Sequence, residues 1–527
     1  MSAVRPTGEE AYRNGANPFV PAAHRVVAGS RLTRRHVLSA DVCVIGSGAG
    51  GAPAAKELAE GGMRVVMLEE GEWWSSDAFT ARPREMMPRL YREGGHTVTL
   101  GTPPLLLPLG KAIGGTTLIN SGTCFRTPPR VLERWRREDG LQELTPEELD
   151  PYFRRVEREL NVSRVPASLA GHNCEVIRRG AERLGWSGGY MYRNVRGCIG
   201  SGVCAYGCPS GAKQHTGITY IARAWASGAT TFTGTRATGL ESAGGHVRGV
   251  LARTAGGGRL RVRCERVIVA AGTLHTPPLL RRFGVRSAVL GRGLSIHPAT
   301  AVRARLDEDV NLWDGVPQSY YIDEFAGEGV MLEGIAGPPD YLAVSTPRRG
   351  AEHRELMLDA RRAATFGVMV SDSSRGRVLS VGGRPVIRYD LGEVDAQRFK
   401  RGLLALAELY WAAGAREVIV PVQGVPTLRD GDSRPLQRHP VPPASLKVMA
   451  FHPLGTARAG ADPARSVVDP DLAVRGLSGL HVCDGSVMPS SLGVNPQITI
   501  MTLATRLAFN LLGRKAPEHE PYPEHIA

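Results

Sequence analysis

Residues 42–51 have the sequence VCVIGSGAGG, in which a short apolar run leads directly into a glycine-rich turn. Helix-forming residues follow at 52–59, and a second apolar run, RVVML, occupies 64–68. Continuous apolar runs of this length are typical of parallel strands that are covered on both faces. The stretch therefore predicts a strand, a glycine turn, a helix and a second strand, which together begin a Rossmann-like α/β domain.

The spacing of the glycines gives each of them a physical task. Gly46 permits the tight turn after the strand, Gly48 lets a pyrophosphate approach the backbone, and Gly51 lets the helix pack closely on the strand. Glu69 closes the second strand 18 residues after Gly51. A carboxylate there accepts hydrogen bonds from ribose hydroxyls and repels the 2′-phosphate of NADP. These residues predict a bound dinucleotide, but they do not separate NAD from FAD.

A second glycine loop, GKAIGGTTLIN, occupies residues 110–120. By itself it is either a plain turn or a surface of backbone donors that a flat ligand can approach closely. It resembles the first signature of the glucose–methanol–choline (GMC) oxidoreductases, in which this loop runs along the flavin and pyrophosphate of FAD. The resemblance implies that Gly115, Thr116 and Asn120 contact FAD. Some members attach FAD through a histidine just before this asparagine, and Ile119 stands there, which implies non-covalent FAD.

Further motifs in family order extend the resemblance over most of the chain. Residues 272–277 (GTLHTP) resemble the second family signature, although Arg281 and the lack of a following Ser-Gly depart from it. Residues 291–298 (GRGLSIHP) resemble the pattern G-x-x-L-x-x-H-P. Residues 233–237 (TGTRA) resemble the segment whose backbone meets the adenine, which implies that Ala237 lies there.

Two segments near the C-terminal end resemble the catalytic motifs of the family, namely FHPLGT at 451–456 and GVNPQIT at 493–499. The resemblance implies that His452 is the catalytic base and that Asn495 binds the substrate oxygen. The residue types suit this chemistry, because an imidazole with a pKa near neutrality can accept the hydroxyl proton when a hydride leaves an alcohol carbon. The resemblance places three further residues at the cofactor: Asp484, Gly485 and Gln497.

Both catalytic residues also have structural interpretations. A histidine before a proline is usually structural, and Asn495 is a good N-cap for a helix with Pro496 at its first position. A helix that begins there and directs its N-terminus at the flavin would stabilise the anion formed on reduction. The sequence assigns His297 no functional role.

A cysteine-rich loop spans residues 196–213. Cys198, Cys204 and Cys208 resemble the ferredoxin pattern C-x2-C-x2-C-x3-C-P with its second cysteine replaced by Ser201. Three thiolates and a serine could hold an iron–sulfur cluster, but such clusters normally use four cysteines. We expect instead a packed loop that lines the substrate side, and no metal site.

The composition excludes several classes of protein. The chain has 527 residues, and its 42% hydrophobic and 22% charged residues are an ordinary globular balance. Its net charge of +14 comes from arginines dispersed among acids, which argues against a nucleic-acid partner. No apolar run reaches the roughly 18 to 20 residues of a transmembrane segment. Because no signal peptide is recognisable, we expect a cytoplasmic protein with reduced cysteines.

The expected fold class is α/β, with a Rossmann-like FAD-binding domain and a discontinuous α+β substrate-binding domain, as in the GMC fold. We expect an N-terminal arm over residues 1–38, an FAD-binding part over 39–300 and a mainly substrate-binding part over 301–449. Residues 450–515 would complete the FAD site, and the family's C-terminal part would correspond to about 372–507.

The resemblance implies an FAD-dependent oxidoreductase that converts an alcohol to an aldehyde or ketone by hydride transfer to flavin N5. The motifs are closest to the cholesterol, choline and long-chain alcohol oxidase branches, which suggests a bulky or apolar alcohol. The electron acceptor would be oxygen, a quinone or a cytochrome. Two other functions stay open: an FAD-containing lyase of the hydroxynitrile lyase kind, and an electron-transfer flavoprotein with an iron–sulfur centre.

Overall fold

The computed structural model describes residues 25–518. Its first layer is a six-stranded sheet in which every neighbouring pair of strands is parallel. We call it the parallel sheet. Its strands, in spatial order, are Val26–Ala28, Thr230–Thr233, Val65–Leu68, Val42–Ile45, Arg266–Val269 and Leu480–Val482. The predicted βαβ unit thus forms the middle of this sheet. The strand Leu480–Val482 forms one of its edges.

The turn after the first strand of the βαβ unit depends on glycine at two positions. Gly46 has a φ of 102°, a conformation that side chains other than glycine rarely adopt. A Cβ at Gly51 would lie 2.0 Å from the carbonyl oxygen of Gly46. The helix Gly51–Glu60 therefore rests directly on the turn, and the helices Tyr220–Ala226 and Gln497–Leu511 pack against it.

The segment predicted as an N-terminal arm lies partly outside the described residues, and the rest of it is built into two sheets. Val26–Ala28 forms one edge of the parallel sheet. Arg35–Ser39 pairs in parallel with Arg259–Arg263 and so extends a four-stranded sheet. The other two strands of that sheet, His246–Thr254 and Thr235–Ala243, are antiparallel.

A second large layer is an antiparallel sheet of eight strands, which we call the antiparallel sheet. In spatial order its strands are Leu428–Arg429, Glu417–Ile419, Pro298–Arg305, Ala363–Val370, Val330–Gly334, Tyr320–Ile322 and Gly188–Tyr190, with Met449–Ala450 beside Pro298–Arg305. The helix Glu393–Ala412 packs on this sheet. Its residues Leu403, Leu406 and Leu409 are fully buried.

Two small sheets complete the strands, one of Arg292–Leu294, Gly376–Val381 and Arg384–Arg388 and one of Val162–Arg164 and Tyr192–Asn194. The remaining α-helices are Pro83–Leu90, Pro129–Asp139, Pro146–Glu159, Ala167–Ala170, His172–Leu184, Thr276–Arg282, Pro339–Ser345, Gly350–Leu358 and Arg434–Arg438. Within residues 25–518, no helix has the length and apolar character needed to cross a bilayer.

The hydrophobic core follows the two layers. One buried cluster surrounds the parallel sheet and includes the helix that follows the glycine turn. A second surrounds the antiparallel sheet and the helix Glu393–Ala412. A third, small cluster centres on Met86 and Leu90 of the helix Pro83–Leu90. The space between the two large clusters is where the functional residues meet.

We expect Gly51→Ala to lower the free energy of unfolding by roughly 2 kcal/mol or more, because the added methyl group cannot fit against the Gly46 carbonyl without moving the helix. Gly327→Ala is the matched control, since nothing lies within 4 Å of a Cβ there, and its effect should stay within about 0.5 kcal/mol. Urea denaturation of both variants measures the difference. Equal stabilities would contradict the packing described for the turn.

Candidate active site

A cavity of about 420 Å³ lies between the parallel sheet and the antiparallel sheet. Gly51 packs behind the wall of this cavity rather than lining it. The other residues singled out from the sequence all line it: Gly46, Gly48, Glu69, Gly115, Thr116, Asn120, Ala237, His452, Asp484, Gly485, Asn495 and Gln497. The fold therefore brings together residues that are up to 451 positions apart in the chain.

The two glycine loops meet face to face in the cavity wall. A Cβ at Gly115 would lie 3.0 Å from the Cα of Gly48, so any side chain at this point would fill the gap between the loops. Ser47 ties the loops together, because its hydroxyl accepts a hydrogen bond from the Gly114 N–H at 3.1 Å. The result is a continuous stretch of bare backbone in the cavity wall, which suits close approach by a flat or phosphate-containing ligand.

Glu69 lies at the end of the strand Val65–Leu68, as predicted, and is buried. Its carboxylate accepts hydrogen bonds from the Ser47 N–H at 3.1 Å, the Ser47 hydroxyl at 2.6 Å and the Gly71 N–H at 2.8 Å. The backbone carbonyl of Glu69 accepts from Thr235 N–H at 2.8 Å, which starts the strand that carries Ala237. Contact between Glu69 and a ribose stays a prediction.

Asp484 fixes the geometry where three segments converge. One of its carboxylate oxygens accepts from the Gly272 N–H at 2.9 Å and the Thr276 hydroxyl at 2.6 Å, and the other accepts from the Ser486 N–H at 2.8 Å. Burial raises the pKa of this carboxyl, while the hydrogen bonds oppose the shift. Asp484 therefore joins the last strand of the parallel sheet to the segment that resembles the second family signature.

Asn120 and Gln497 are linked across the chain. The Asn120 amide donates to the Gln497 side-chain oxygen at 2.8 Å, and the Gln497 amide donates to the Thr123 carbonyl at 2.8 Å. Gln497 is the first residue of the helix Gln497–Leu511. The second glycine loop is therefore anchored to the N-terminus of the helix that follows the catalytic asparagine.

His452 and Asn495 are neighbours, with the Asn495 amide nitrogen 3.4 Å from His452 Nε2. The alternative of Asn495 as an N-cap is wrong, since Pro496 holds the cap position and the helix begins at Gln497 without a side-chain capping bond. The Oδ1 of Asn495 and the Nδ1 of His452 are buried and make no hydrogen bond within the described part of the chain. The pair thus keeps hydrogen-bonding capacity for a ligand.

Burial lowers the pKa of His452 to about 4, because the protein around the ring offers no charge that would stabilise the imidazolium. The ring is therefore neutral at physiological pH, and its ring nitrogen can accept a proton. A neutral imidazole that faces a cavity is the state that a general base requires.

Glu333 is a site residue that the sequence reasoning missed. It lies on the strand Val330–Gly334, lines the cavity and is only 7% exposed. Burial raises its pKa to about 7, and a hydrogen bond with Asn495 opposes the shift. One carboxyl oxygen has no hydrogen-bond partner among residues 25–518. No local motif marks Glu333, because only the pairing of distant strands brings it beside Asn495.

His297 also has a role that the sequence did not assign. Its Nε2 accepts hydrogen bonds from the N–H groups of Leu492 and Gly493, each at 2.9 Å, and its ring lies 5.3 Å from that of His452. Asp372 accepts from the His297 N–H at 3.2 Å and holds the residue at a φ of 46°. His297 thus fixes the loop that ends at Asn495, and its place in the motif before a proline was the available signal.

The cysteine loop packs against the second glycine loop, and Gly202, Ala205 and Tyr206 line the cavity. Its thiols do not converge, because Cys204 faces Arg193 while Cys208 accepts a hydrogen bond from the Lys213 N–H. Over residues 25–518, no three Cys, His, Asp or Glu side chains come together as metal ligands. The geometry therefore offers the iron–sulfur alternative no ligand set.

These features define a two-sheet, dinucleotide-binding enzyme with a His–Asn pair at the junction of its sheets. The chain belongs to the GMC oxidoreductase family, whose sequence patterns match residues 87–299 and 372–504. The predicted family and fold class are confirmed. Family membership supports FAD as the cofactor, and the bare backbone of Gly48 and Gly115 fits such a ligand.

Relatives and solved structures agree with this assignment. An uncharacterised GMC-type oxidoreductase of Mycobacterium tuberculosis is 41% identical over 475 residues, which cover 90% of this chain and 76% of that protein. A long-chain-alcohol oxidase of Arabidopsis thaliana is 28% identical over 506 residues, covering 88% and 66% respectively. Pyridoxine 4-oxidase from Mesorbium loti shares the fold with a TM-score of 0.71 at 19% identity, covering 90% of this chain and 99% of that one.

We expect Glu333→Gln to become progressively more stable than the wild type as the pH rises from 5 to 8. A carboxyl whose pKa rises from 4.5 to about 7 on folding loses stability as the pH passes through that window, whereas glutamine does not ionise. The difference in the free energy of unfolding between Glu333→Gln and the wild type should approach about 3 kcal/mol, since one pKa unit corresponds to about 1.4 kcal/mol. Urea denaturation at both pH values measures it. The exposed control Glu265→Gln should show no such gap, and a constant difference for Glu333→Gln would contradict the assignment.

Proposed function

We propose that this chain oxidises a primary or secondary alcohol to an aldehyde or ketone, with His452 as the base and with FAD bound non-covalently. The observation that carries the proposal is the neutral His452 in the cavity wall, whose Nε2 lies 3.4 Å from the Asn495 amide nitrogen. Family membership supports FAD as the redox cofactor that this oxidation requires.

The residues that would hold FAD follow from the cavity. The adjoining backbones of Gly48 and Gly115 would lie against its phosphate and flavin region, and Glu69 and Ala237 lie toward the side expected for ribose and adenine. Ile119 stands where some relatives have the histidine that bonds to the flavin, which supports non-covalent binding. In this proposal residues 39–300 and 450–515 form the FAD-binding part, and residues 301–449 form most of the substrate side.

FAD, when bound, supplies the acceptor for the hydride. His452, whose ring is neutral at physiological pH, accepts the hydroxyl proton of the alcohol at its Nε2. The Asn495 amide nitrogen can only donate, so its contact with Nε2 makes this nitrogen the acceptor of the ring. Asn495 donates a hydrogen bond to the same oxygen and so fixes the direction of the carbon. The 3.4 Å separation between the two side chains is long for a hydrogen bond, which leaves both free to turn to a hydroxyl oxygen between them.

The substrate side of the cavity is largely apolar. The side chains there include Ile335, Tyr341, Val368, Met369 and Phe451. Together with similarity to long-chain-alcohol oxidases, this lining supports a bulky or apolar alcohol. Among oxygen, a quinone and a cytochrome, similarity to proteins named as oxidases favours oxygen as the acceptor. A cytoplasmic location stays a prediction from the sequence.

The holoenzyme should be screened without oxygen against sterols, long-chain, aryl and sugar alcohols while the flavin absorbance is recorded. We expect at least one apolar alcohol to bleach the flavin, and admission of oxygen to restore its absorbance if oxygen is the acceptor. A flavin that no alcohol bleaches would contradict the proposal and favour the lyase alternative.

We expect His452→Ala to retain bound FAD while the rate of flavin reduction by the best alcohol falls on the order of a hundredfold or more, because the general base is lost. Anaerobic stopped-flow absorbance measures this rate. The control is His246→Ala, which removes an exposed histidine on the four-stranded sheet. A His452→Ala rate equal to that of the control would remove His452 from the mechanism.

A further inference from the structure

Two buried cations lie behind the second glycine loop. Arg193 and Lys213 are each only 1% exposed. Arg193 donates to the Ser121 carbonyl, and Lys213 donates to the carbonyls of Asn120 at 2.7 Å and Cys204 at 2.6 Å. Neither cation forms an ion pair with a carboxylate in the part of the chain that the structure describes. Since a buried charge is costly unless an opposite charge compensates it, an anion is required here.

Cys204 is the group in place to supply that anion. Its sulfur lies 3.1 Å from the Arg193 guanidinium nitrogen. Burial by itself raises the pKa of the Cys204 thiol, but the charges of Arg193 and Lys213 outweigh it and hold the pKa below its ordinary value. Burial also lowers the pKa of Lys213 to about 8, which leaves this amine mostly protonated at neutral pH. The three side chains therefore form one compensated cluster.

The neighbouring thiols differ from Cys204. Cys198 is partly exposed, as Cys204 is, but it makes no hydrogen bond to either cation within residues 25–518. Cys208 and Cys124 are buried, and burial raises the pKa of the Cys124 thiol. A reactive cysteine is one whose thiolate is stabilised by nearby cations. Cys198 and Cys208 also interact electrostatically with Arg193 and Lys213 respectively, but within residues 25–518 only Cys204 accepts a hydrogen bond from one of these side-chain cations.

Cys204 is partly exposed and lies next to the cofactor cavity. Gly202 and Ala205, two residues before it and one residue after it, both line that cavity. The same cluster holds the carbonyls of Asn120 and Ser121, which belong to the cavity wall. The residue therefore borders the cavity.

We propose that Cys204 is a thiolate paired with Arg193 and Lys213, and that it is the site at which a hydroperoxide oxidises this protein to a sulfenate. With hydrogen peroxide, the thiolate sulfur attacks one oxygen, an S–O bond forms as the O–O bond breaks, and hydroxide leaves. The hydroxide takes the proton of the sulfenic acid and becomes water, so that the thiolate and hydrogen peroxide give a sulfenate and water. The sulfur is oxidised by two electrons and the peroxide is reduced by two. The product stays anionic in the field of both cations. The inference does not depend on the proposed function.

The test treats the FAD-loaded protein, freed of reductant, with hydrogen peroxide at pH 7 in the presence of dimedone, which traps sulfenic acids. Peptide mass spectrometry then gives a labelling rate for each of the eight cysteines. We expect Cys204 to be labelled about tenfold faster than Cys198, because the thiolate is the nucleophile and Arg193 and Lys213 stabilise the thiolate of Cys204. In urea this preference should disappear. Equal rates in the folded protein, or faster labelling of Cys198, would overturn the proposal.

Variants separate the charge effect from simple exposure. Cys204→Ser should abolish the fast label, whereas the matched control Cys208→Ser should leave it. Arg193→Met should lower the Cys204 rate to that of Cys198, and Lys213→Met tests the second cation if Arg193→Met does not retain FAD. Unchanged Cys204 labelling in a folded cation variant would contradict the role of the cluster. The ranking in the wild-type protein decides the proposal even if both cation variants fail to fold.

Discussion

The whole site depends on the absence of side chains where the two glycine loops meet. Gly48 and Gly115 approach until a single Cβ would close the gap, and Gly51 lets the first helix rest on the turn below them. This contact sets the distance between the βαβ unit and the second glycine loop. Asn120, at the end of that loop, donates a hydrogen bond to Gln497. Gln497 is the first residue of the helix after Asn495. The position of the His452–Asn495 pair therefore depends on the contact between the two glycine loops.

Burial controls the charge states around this framework. Burial lowers the pKa of His452 to about 4 and raises the pKa of Glu333 to about 7, so His452 is neutral at physiological pH. The neutral ring is the form that accepts a proton, although the lower pKa also makes it a weaker base. Behind the second glycine loop the buried side chains are charged. Arg193 and Lys213 keep their positive charges there and require an anion. The cavity is therefore neutral at its catalytic end and positively charged behind one wall.

The sequence predicted the parts of the structure that local patterns encode. The βαβ unit, the two glycine loops and the His452–Asn495 pair each lie within a short motif, and the chain brings them together as expected. The sequence did not indicate Glu333 as a site residue, nor the hydrogen bonds from the loop before Asn495 to His297. Both arise from contacts between segments that are distant in the chain. The N-cap role for Asn495 was wrong because the helix begins two residues later, at Gln497. The cysteine loop resembles a ferredoxin pattern but was predicted to be a packed loop, and the buried cations behind it are visible only in three dimensions.

The central claim is that a hydride leaves the carbon of an alcohol while His452 takes the hydroxyl proton. The most direct measurement compares the anaerobic rate of flavin bleaching by the best alcohol with the rate for the same alcohol deuterated at its hydroxyl-bearing carbon. We expect deuterium at this carbon to slow bleaching of the wild-type flavin, because that C–H bond breaks in the flavin-reduction step that bleaching records. Identical rates, under conditions where substrate binding and product release are shown to be fast, would contradict it.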